Sequence, residues 1–230
     1  MKFLISVIIP CFNEQAYLVD LLPRLRQVSG VETIVVDGGS EDYSADLASV
    51  LADRLLITAK GRGIQMNAGA QIASGDILLF LHADSILPPE WHNLITDVML
   101  NSNTVGGAFD IRLDNNGMAF RLISIIASLR SRLLKTPYGD QGIFVRNEVF
   151  HDLGGFKTIP IMEDAEFSRR LCSKGNIAFI PQPITTSSRK WQTYGFFRTT
   201  AAHWLVTIGY YLEISPQHLK TLHNNIISKH

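Results

Sequence analysis

The chain has 230 residues, 46% hydrophobic and 18% charged, enough for a substantial core in one large domain or two intimately packed halves. Its 21 lysines and arginines balance 21 aspartates and glutamates, so no overall field selects nucleic acid, and any such patch must be local. Cys11 and Cys172 are too few for a disulfide framework, fit a reducing compartment and lie in no metal-binding spacing.

Met1-Lys2 followed by Phe3 to Phe12 superficially resembles a signal peptide. Pro10 and Asn13-Glu14 then follow with no small-residue cleavage site, so a first core strand is the reading. No apolar run reaches the roughly 20 residues that span a bilayer, and the expectation is a cytoplasmic protein.

Leu4 to Ile9 is a β-branched, apolar run ended by Pro10 and reads as strand one. Asn13 is expected to cap the next helix, whose apolar stripe is Tyr17, Leu18, Leu21, Leu22 and Leu25. Pro23 should kink or split that helix. Gly30 ends it, Thr33 to Val36 form strand two, and Asp37-Gly38-Gly39-Ser40 turns tightly with a carboxylate at the strand's end. Ser44 to Leu51 suits a second helix and Leu55 to Thr58 a third strand. This alternation argues a parallel, βαβ-built sheet. Pro10-Cys11-Phe12-Asn13-Glu14 carries no glycine for a pyrophosphate, which disfavours a nicotinamide dehydrogenase, and the phosphate loop of an NTPase is also missing.

Lys60-Gly61-Arg62-Gly63 puts two cations on flexible backbone ahead of a helix from Ile64 to Ala73. That is either a phosphate cradle or a solvated basic turn. Asn67 and Gly69 are poor helix formers, so some other demand holds them in this helix. Next comes Gly75 to Ser85, whose apolar core from Ile77 to Leu81 reads as a buried strand. Open α/β sheets place ligands at the carboxyl ends of such strands, and here stand His82 and Asp84. They alternate, so both point one way if strand geometry persists, and together they suit a divalent metal, Mn²⁺ better than a strict oxygen cage would. The plain alternative is that Asp84 or Ser85 caps the helix beginning near Pro89. That helix runs to Leu100, and Val105 to Leu113 is another strand.

From Met118 the character changes. Phe120 to Leu134 is apolar beside Arg121, Arg130, Arg132 and Lys135, which suits a membrane surface or, more commonly, a core helix with solvated cations. Gly142 to Val145 is a short strand and Gly154-Gly155-Phe156 a turn. Glu163, Asp164 and Glu166 open a helix running to Lys174, where acids favour the macrodipole. Adjacency has a further consequence: a like charge raises a neighbouring carboxylate's pKa and can make it a competent base. Tyr194 to Leu212 is aromatic-rich and helical, and Glu213 to His230 is a polar end.

Taken together, these segments resemble the family-2 inverting glycosyltransferases with the GT-A fold, especially their small, soluble, single-domain members. The resemblance runs through Val7-Ile8-Ile9-Pro10-Cys11-Phe12-Asn13-Glu14, Val35-Val36-Asp37-Gly38-Gly39-Ser40-Glu41-Asp42, Asn67-Ala68-Gly69 with Gly75-Asp76, His82-Ala83-Asp84, and Gly154-Gly155-Phe156 followed by Glu163-Asp164. It implies one α/β domain over 1–230. In it a Rossmann-like, mostly parallel nucleotide-sugar-binding sheet (about 1–105) is flanked by helices and merged with a smaller acceptor and catalytic-base half (about 106–193). A C-terminal helical segment (about 194–230) follows.

The implied activity is metal-dependent transfer of a sugar from a nucleoside diphosphate to a hydroxyl acceptor, with inversion. Pro10, Asn13, Glu14, Asp37 and Asn67 would hold the donor, with Lys60, Arg62 and Arg189 stabilising its diphosphate. In the triplet His82-Ala83-Asp84, Ala83 would border the donor and Asp84 would bind Mg²⁺ or Mn²⁺. Asp164, beside Glu163, would be the general base. The first acid of the family's triplet is His82 here. Either it binds the metal, with affinity falling as it protonates near pH 6.5, or it contacts the nucleotide. Asp140 and Gln141 face the acceptor on position alone. Two other functions share these features: a nucleotidyltransferase making nucleotide sugars, and a non-catalytic nucleotide-sugar-binding or scaffold protein. Phe120 to Lys135 and Tyr194 to Leu212 raise a peripheral membrane contact, at the inner face of the membrane for a cytoplasmic protein, or a homodimer. No nucleic-acid partner is expected.

Overall fold

The computed structural model of the protein describes residues 3–227, so Met1, Lys2 and the last three residues of the expected polar end lie outside it. In chain order the first half comprises β1 (Ile5–Cys11), α1 (Gln15–Arg26), β2 (Val31–Asp37), α2 (Ser44–Leu51), β3 (Arg54–Ile57), α3 (Arg62–Ile72) and β4 (Ile77–Phe80). Next come β5 (Ser85–Ile86), α4 (Trp91–Met99), β6 (Thr104–Leu113), α5 (Met118–Leu134), a 3-10 turn (Gly139–Gln141), β7 (Ile143–Arg146) and α6 (Asn147–Asp152). The chain closes with α7 (Glu163–Leu171), β8 (Asn176–Thr186), α8 (Arg189–Tyr194), α9 (Phe196–Tyr211) and α10 (Pro216–Ile227).

All eight strands form one sheet in the order β3-β2-β1-β4-β7-β6-β8-β5. The first half is parallel, as its alternating periods require. Beyond β4 the sheet is mixed: β7 is antiparallel to both β4 and β6, β6 and β8 are parallel, and β5 is antiparallel to β8. Apolar residues pack on both faces, as continuous apolar strands demand. Ile5, Val7, Ile9 and Leu79 meet Leu22 and Trp91 on one side, while Ile8, Val36, Leu78 and Phe80 meet Met66 and Phe156 on the other.

Several local expectations are revised. α1 runs unbroken through Pro23. β1 continues past Pro10, which sits opposite Val36 where the pairing with β4 has already ended at Ile8. β8 carries no clean strand signal because Pro181 and Pro183 interrupt it. The structure absorbs them in an irregularity, the register passing from Phe109 opposite Ile180 to Ile111 opposite Ile184. The polar C-terminal end forms α10, with Leu219 buried.

The demand on α3 is now visible. A Cβ on Gly69 would stand 2.5 Å from Ile8 Cγ2 and 3.0 Å from Val36 Cγ2, so only glycine lets the helix lie this close to β1 and β2. Asn67 turns away from the sheet and clamps the Gly154-Gly155-Phe156 turn, donating to the Phe156 carbonyl at 2.8 Å and accepting from its N–H at 2.9 Å.

α5 overturns the core-helix reading. Its buried residues are Ser124, Ser128 and Ser131, and its large apolar side chains face outward. The serines have a specific task. β7 pairs with β6 only at Gly106 and Gly107, leaving the far part of β6 with backbone groups to satisfy. The Ile111 N–H donates to Ser128 Oγ at 3.0 Å and the Leu113 N–H to Ser124 Oγ at 3.1 Å. Gln141 covers the Phe109 carbonyl at 3.1 Å and is itself held by Ser131 at 2.6 Å. Ser128→Ala should therefore strip a buried N–H of its acceptor and cost about 1–3 kcal/mol, read as a lower denaturant midpoint at unchanged slope.

Candidate active site

The carboxyl edge of the parallel strands is braced before any ligand arrives. Gln65 donates from α3 to the Cys11 and Val36 carbonyls, both at 2.8 Å, and accepts from the Gly61 N–H at 3.2 Å. Asp37 is fully buried. Its carboxylate accepts the N–H groups of Gly39 at 2.9 Å and Ser40 at 2.8 Å together with the Ser40 hydroxyl, so it builds the turn after β2. Asn13 does not cap α1, whose N-cap is Glu14. Instead it adopts a left-handed φ of 54° and ties the two loops together, its N–H donating to Ser40 Oγ at 2.8 Å and its Oδ1 accepting from Glu41 N–H at 2.8 Å. Lys60 Nζ rests 3.3 Å over the Phe12 ring, and Arg189 pairs with Glu14 at 2.8 Å. Pro10, Asn13, Glu14, Asp37, Lys60, Arg62 and Arg189 thus belong to one edge. Asn67 and Ala83 do not present side chains there: the first holds the Phe156 turn and the second is buried in the core beneath.

Alternation does not carry His82 and Asp84 to a common point. The strand stops at Phe80, and the Ser85 N–H closes a turn on the His82 carbonyl at 3.1 Å. Asp84 faces Arg189 at 3.9 Å. His82 instead lines a small recess with Gly139, Glu163 and Asp164, and its Nε2 would lie 3.2 Å from a Cβ at Gly139. Surrounding protein, then Arg62 and Lys190, push this imidazole well below the usual histidine range. Its neutral form is therefore favoured. Helix capping does not explain Asp84 either, because α4 starts at Trp91 after Glu90 with no side-chain cap. Among the described residues no three His, Cys, Asp or Glu side chains gather as a metal cage, so Asp84 offers a single carboxylate.

The opposite wall is the start of α7. Met162 precedes it in a left-handed conformation, φ 67°, which strains a non-glycine backbone and aims the next two side chains. Asp164 is half-buried and doubly anchored, Oδ2 accepting the Gly139 N–H and Oδ1 the Ala165 N–H, both at 2.7 Å. The carboxyl whose pKa is raised is Glu163: burial first, and the Asp164 charge second, push it up to about 7. Glu166 is committed elsewhere, to Arg170 at 2.6 Å and Lys157 at 2.8 Å. Asp140 faces the same space and is raised by burial and by Asp164. Gln141 is buried with its amide spent on Phe109, Ser131 and the Tyr138 N–H, so its side chain holds the loop.

One residue is new to the site. Lys190 is reachable by water yet crowded by protein, which is the situation of a cleft wall. That desolvation and the nearby Arg62 lower its ammonium, while Asp84 and Asp140 raise it. Neither Lys190 nor Arg62 forms a salt bridge among the described residues. In the sequence Lys190 stands in the basic run Ser188-Arg189-Lys190-Trp191, and only the fold selects this second cation.

The raised Glu163 carboxyl has a thermodynamic consequence. Its folded value lies above its ordinary value of 4.5, so it opposes folding increasingly as pH rises from about 4.5 through 7. Glu163→Gln should raise stability above pH 7, by on the order of 1–3 kcal/mol, and flatten that dependence. Thermal melts across this window check it, an unchanged slope counting against the assignment.

A family model described as Glycosyl transferase family 2 matches residues 6–159. An undecaprenyl-phosphate 4-deoxy-4-formamido-L-arabinose transferase of Pseudomonas paraeruginosa is 30% identical over 152 residues, 59% of this chain and 45% of that protein. This chain therefore aligns with less than half of that relative. A PGL/p-HBAD biosynthesis glycosyltransferase of Mycobacterium bovis is 31% identical over 195 residues, 73% of this chain and 69% of its own length. Among solved structures, the mannosyltransferase PcManGT from Pyrobaculum calidifontis, in complex with GDP-Man and Mn²⁺, superposes with TM-score 0.71 at 17% identity, over 97% of this chain and 69% of that one. The 1-349 portion of S. aureus TarS in complex with UDP-GlcNAc gives 0.63 at 16% identity, over 98% and 71%. At such identities these two structures speak for the fold.

Proposed function

Because the chain belongs to glycosyl transferase family 2, we propose that it transfers a sugar from a nucleoside diphosphate donor to a hydroxyl acceptor, with inversion at the anomeric carbon. One observation carries this reading. An accessible carboxylate, fixed by two backbone N–H groups, stands beside Glu163 and Asp140, which feel the charge of Arg62 and, for Asp140, of Lys190, two cations that form no salt bridge among the described residues. Sugar transfer needs both: a base for the acceptor proton and positive charge for the departing diphosphate.

In the proposed step the acceptor oxygen attacks the anomeric carbon as its proton passes to Asp164. The bond from that carbon to the diphosphate oxygen breaks, and Arg62, Lys190 and Arg189 meet the charge that develops. Glu163, protonated below about pH 7, adds no second negative charge beside the base. Neutral His82 serves as a polar wall for the nucleotide or sugar, the alternative to metal ligation considered above. Asp84 is the carboxylate that would hold Mg²⁺ or Mn²⁺. Such an ion, when bound, would add charge neutralisation at the diphosphate. The Mn²⁺ in the Pyrobaculum structure supports including it in the assay. Undecaprenyl-phosphate in the Pseudomonas relative's name makes lipid-borne acceptors a class to screen.

A thermal-shift screen of nucleoside-diphosphate sugars, with and without Mn²⁺, should identify a donor that raises the melting temperature by mass action. With that donor Asp164→Asn should lower kcat by roughly 10²–10⁴-fold while donor binding survives, and Asp84→Ala should weaken binding of donor with metal. Full turnover by Asp164→Asn, or pyrophosphate release from a nucleoside triphosphate in place of transfer, would overturn the reading.

A further inference from the structure

The outward faces of α5 and α9 carry large apolar side chains without protein over them. On α5, Leu122 is 57% exposed, Ile125 63% and Leu133 73%; on α9, Phe197 is 84% exposed and Trp204 44%. Each set recurs at helical spacing: Met118, Leu122, Ile125, Leu129 and Leu133 on one helix, Phe197, Trp204, Leu205, Ile208 and Leu212 along and just past the other. Two side-chain contacts link the α5 region to α9 in the same sense. Phe120 packs on Phe196 at 5.3 Å near their starts, and further along Tyr138 joins them, under Arg130 at 3.5 Å and bonded to Thr207 at 3.4 Å.

Charge decides what fits this surface. The chain is neutral overall, but 115–139 contains no acid beside Arg121, Arg130, Arg132 and Lys135. From 187 to 227 the single acid is Glu213, and outside the cleft cations Arg189 and Lys190 the segment carries Arg198 and Lys220. Arg132 is paired with Asp110 at 2.9 Å, whereas Arg121 and Lys135 are exposed. A two-fold dimer through this face would set the same cations against each other with almost no acid to answer them. Anionic headgroups over an acyl layer match both the cations and the apolar stripes. No helix among the described residues is long and apolar enough to cross a membrane, so the contact is one of lying on the surface.

We infer that α5 and α9 together dock the protein on an anionic lipid surface. The placement concerns the site directly. α5 leads into Tyr138 and Gly139, whose N–H holds Asp164, and α8, which carries Lys190, leads into α9. A docked molecule therefore holds the acceptor side of its cleft next to the headgroups.

Vesicle flotation tests this, and it reads lipid binding rather than transfer, so its failure is distinct from failure of the transferase reading. The full chain should float with phosphatidylcholine vesicles containing phosphatidylglycerol at low salt, and do so less as salt rises. Leu122→Ser with Ile125→Ser and Leu129→Ser changes only exposed positions and should weaken partitioning by about tenfold or more at an unchanged melting temperature. Arg121→Glu with Lys135→Glu should also weaken it about tenfold or more. Absence of flotation at low salt, unchanged partitioning in both variants, or a dimer by light scattering that the serine variant dissolves would overturn the inference.

Discussion

The antiparallel pairing of β4 with β7 makes one site out of two stretches of chain. Phe80 lies opposite Ile143 and Ile77 opposite Arg146, so whatever follows β4 meets whatever precedes β7. His82 follows; Gly139 to Gly142 precedes. A parallel β7 would deliver that loop to the far end of the sheet. Both strands are buried on both faces, so slipping the register by one residue would exchange the side chains of two close-packed cores, which pins the arrangement. The Gly139 N–H is thereby brought to Asp164, and the recess shared by His82, Glu163 and Asp164 follows from strand pairing rather than from any local motif.

Within that frame the electrostatics form a connected set. Acids at the first turn of α7 gain from the helix dipole, but burying Glu163 beside Asp164 costs more than the dipole returns, and the group answers by keeping its proton. The left-handed Met162 shows the backbone held in this arrangement by its surroundings. Across the cleft, burial and then Arg62 lower the Lys190 ammonium, and two cations close together favour an anion between them. His82 is held well below the usual histidine range by burial first and by both cations after it. A fixed carboxylate beside several cations lets the site meet an anionic group before any ion joins it.

Periodicity made the first half of the fold legible, with α2 and the four parallel strands near their expected bounds, because each signal there is local. The poor helix formers in α3 announced a constraint, and the structure supplies it: Gly69 for close packing on the sheet, Asn67 for the Phe156 turn. What could not be read depends on partners distant in sequence. Prolines hid β8, since only its pairing with β6 shows where the irregularity falls. The alternation of His82 and Asp84 was sound for a strand, but the strand ended two residues too soon. Asp37 and Gln141, expected at ligands, hydrogen-bond within the chain and build the loops at the sheet's edge.

α5 shows how such long-range information can reverse a helix. Its stripe of leucine and isoleucine, taken alone, points inward. Yet the strand it covers has backbone N–H groups that β7 does not reach, and an apolar face laid on them would leave those donors buried without acceptors. Serine hydroxyls satisfy them at the length of one helix turn per strand pair, Ser124 to Leu113 and Ser128 to Ile111. They also close an edge that would otherwise invite another strand. Once the serines face in, helical geometry leaves the apolar stripe nowhere but outside. The same choice that completes the sheet thus creates the surface by which the protein meets its surroundings, and it anchors the loop that holds Asp164 to that surface.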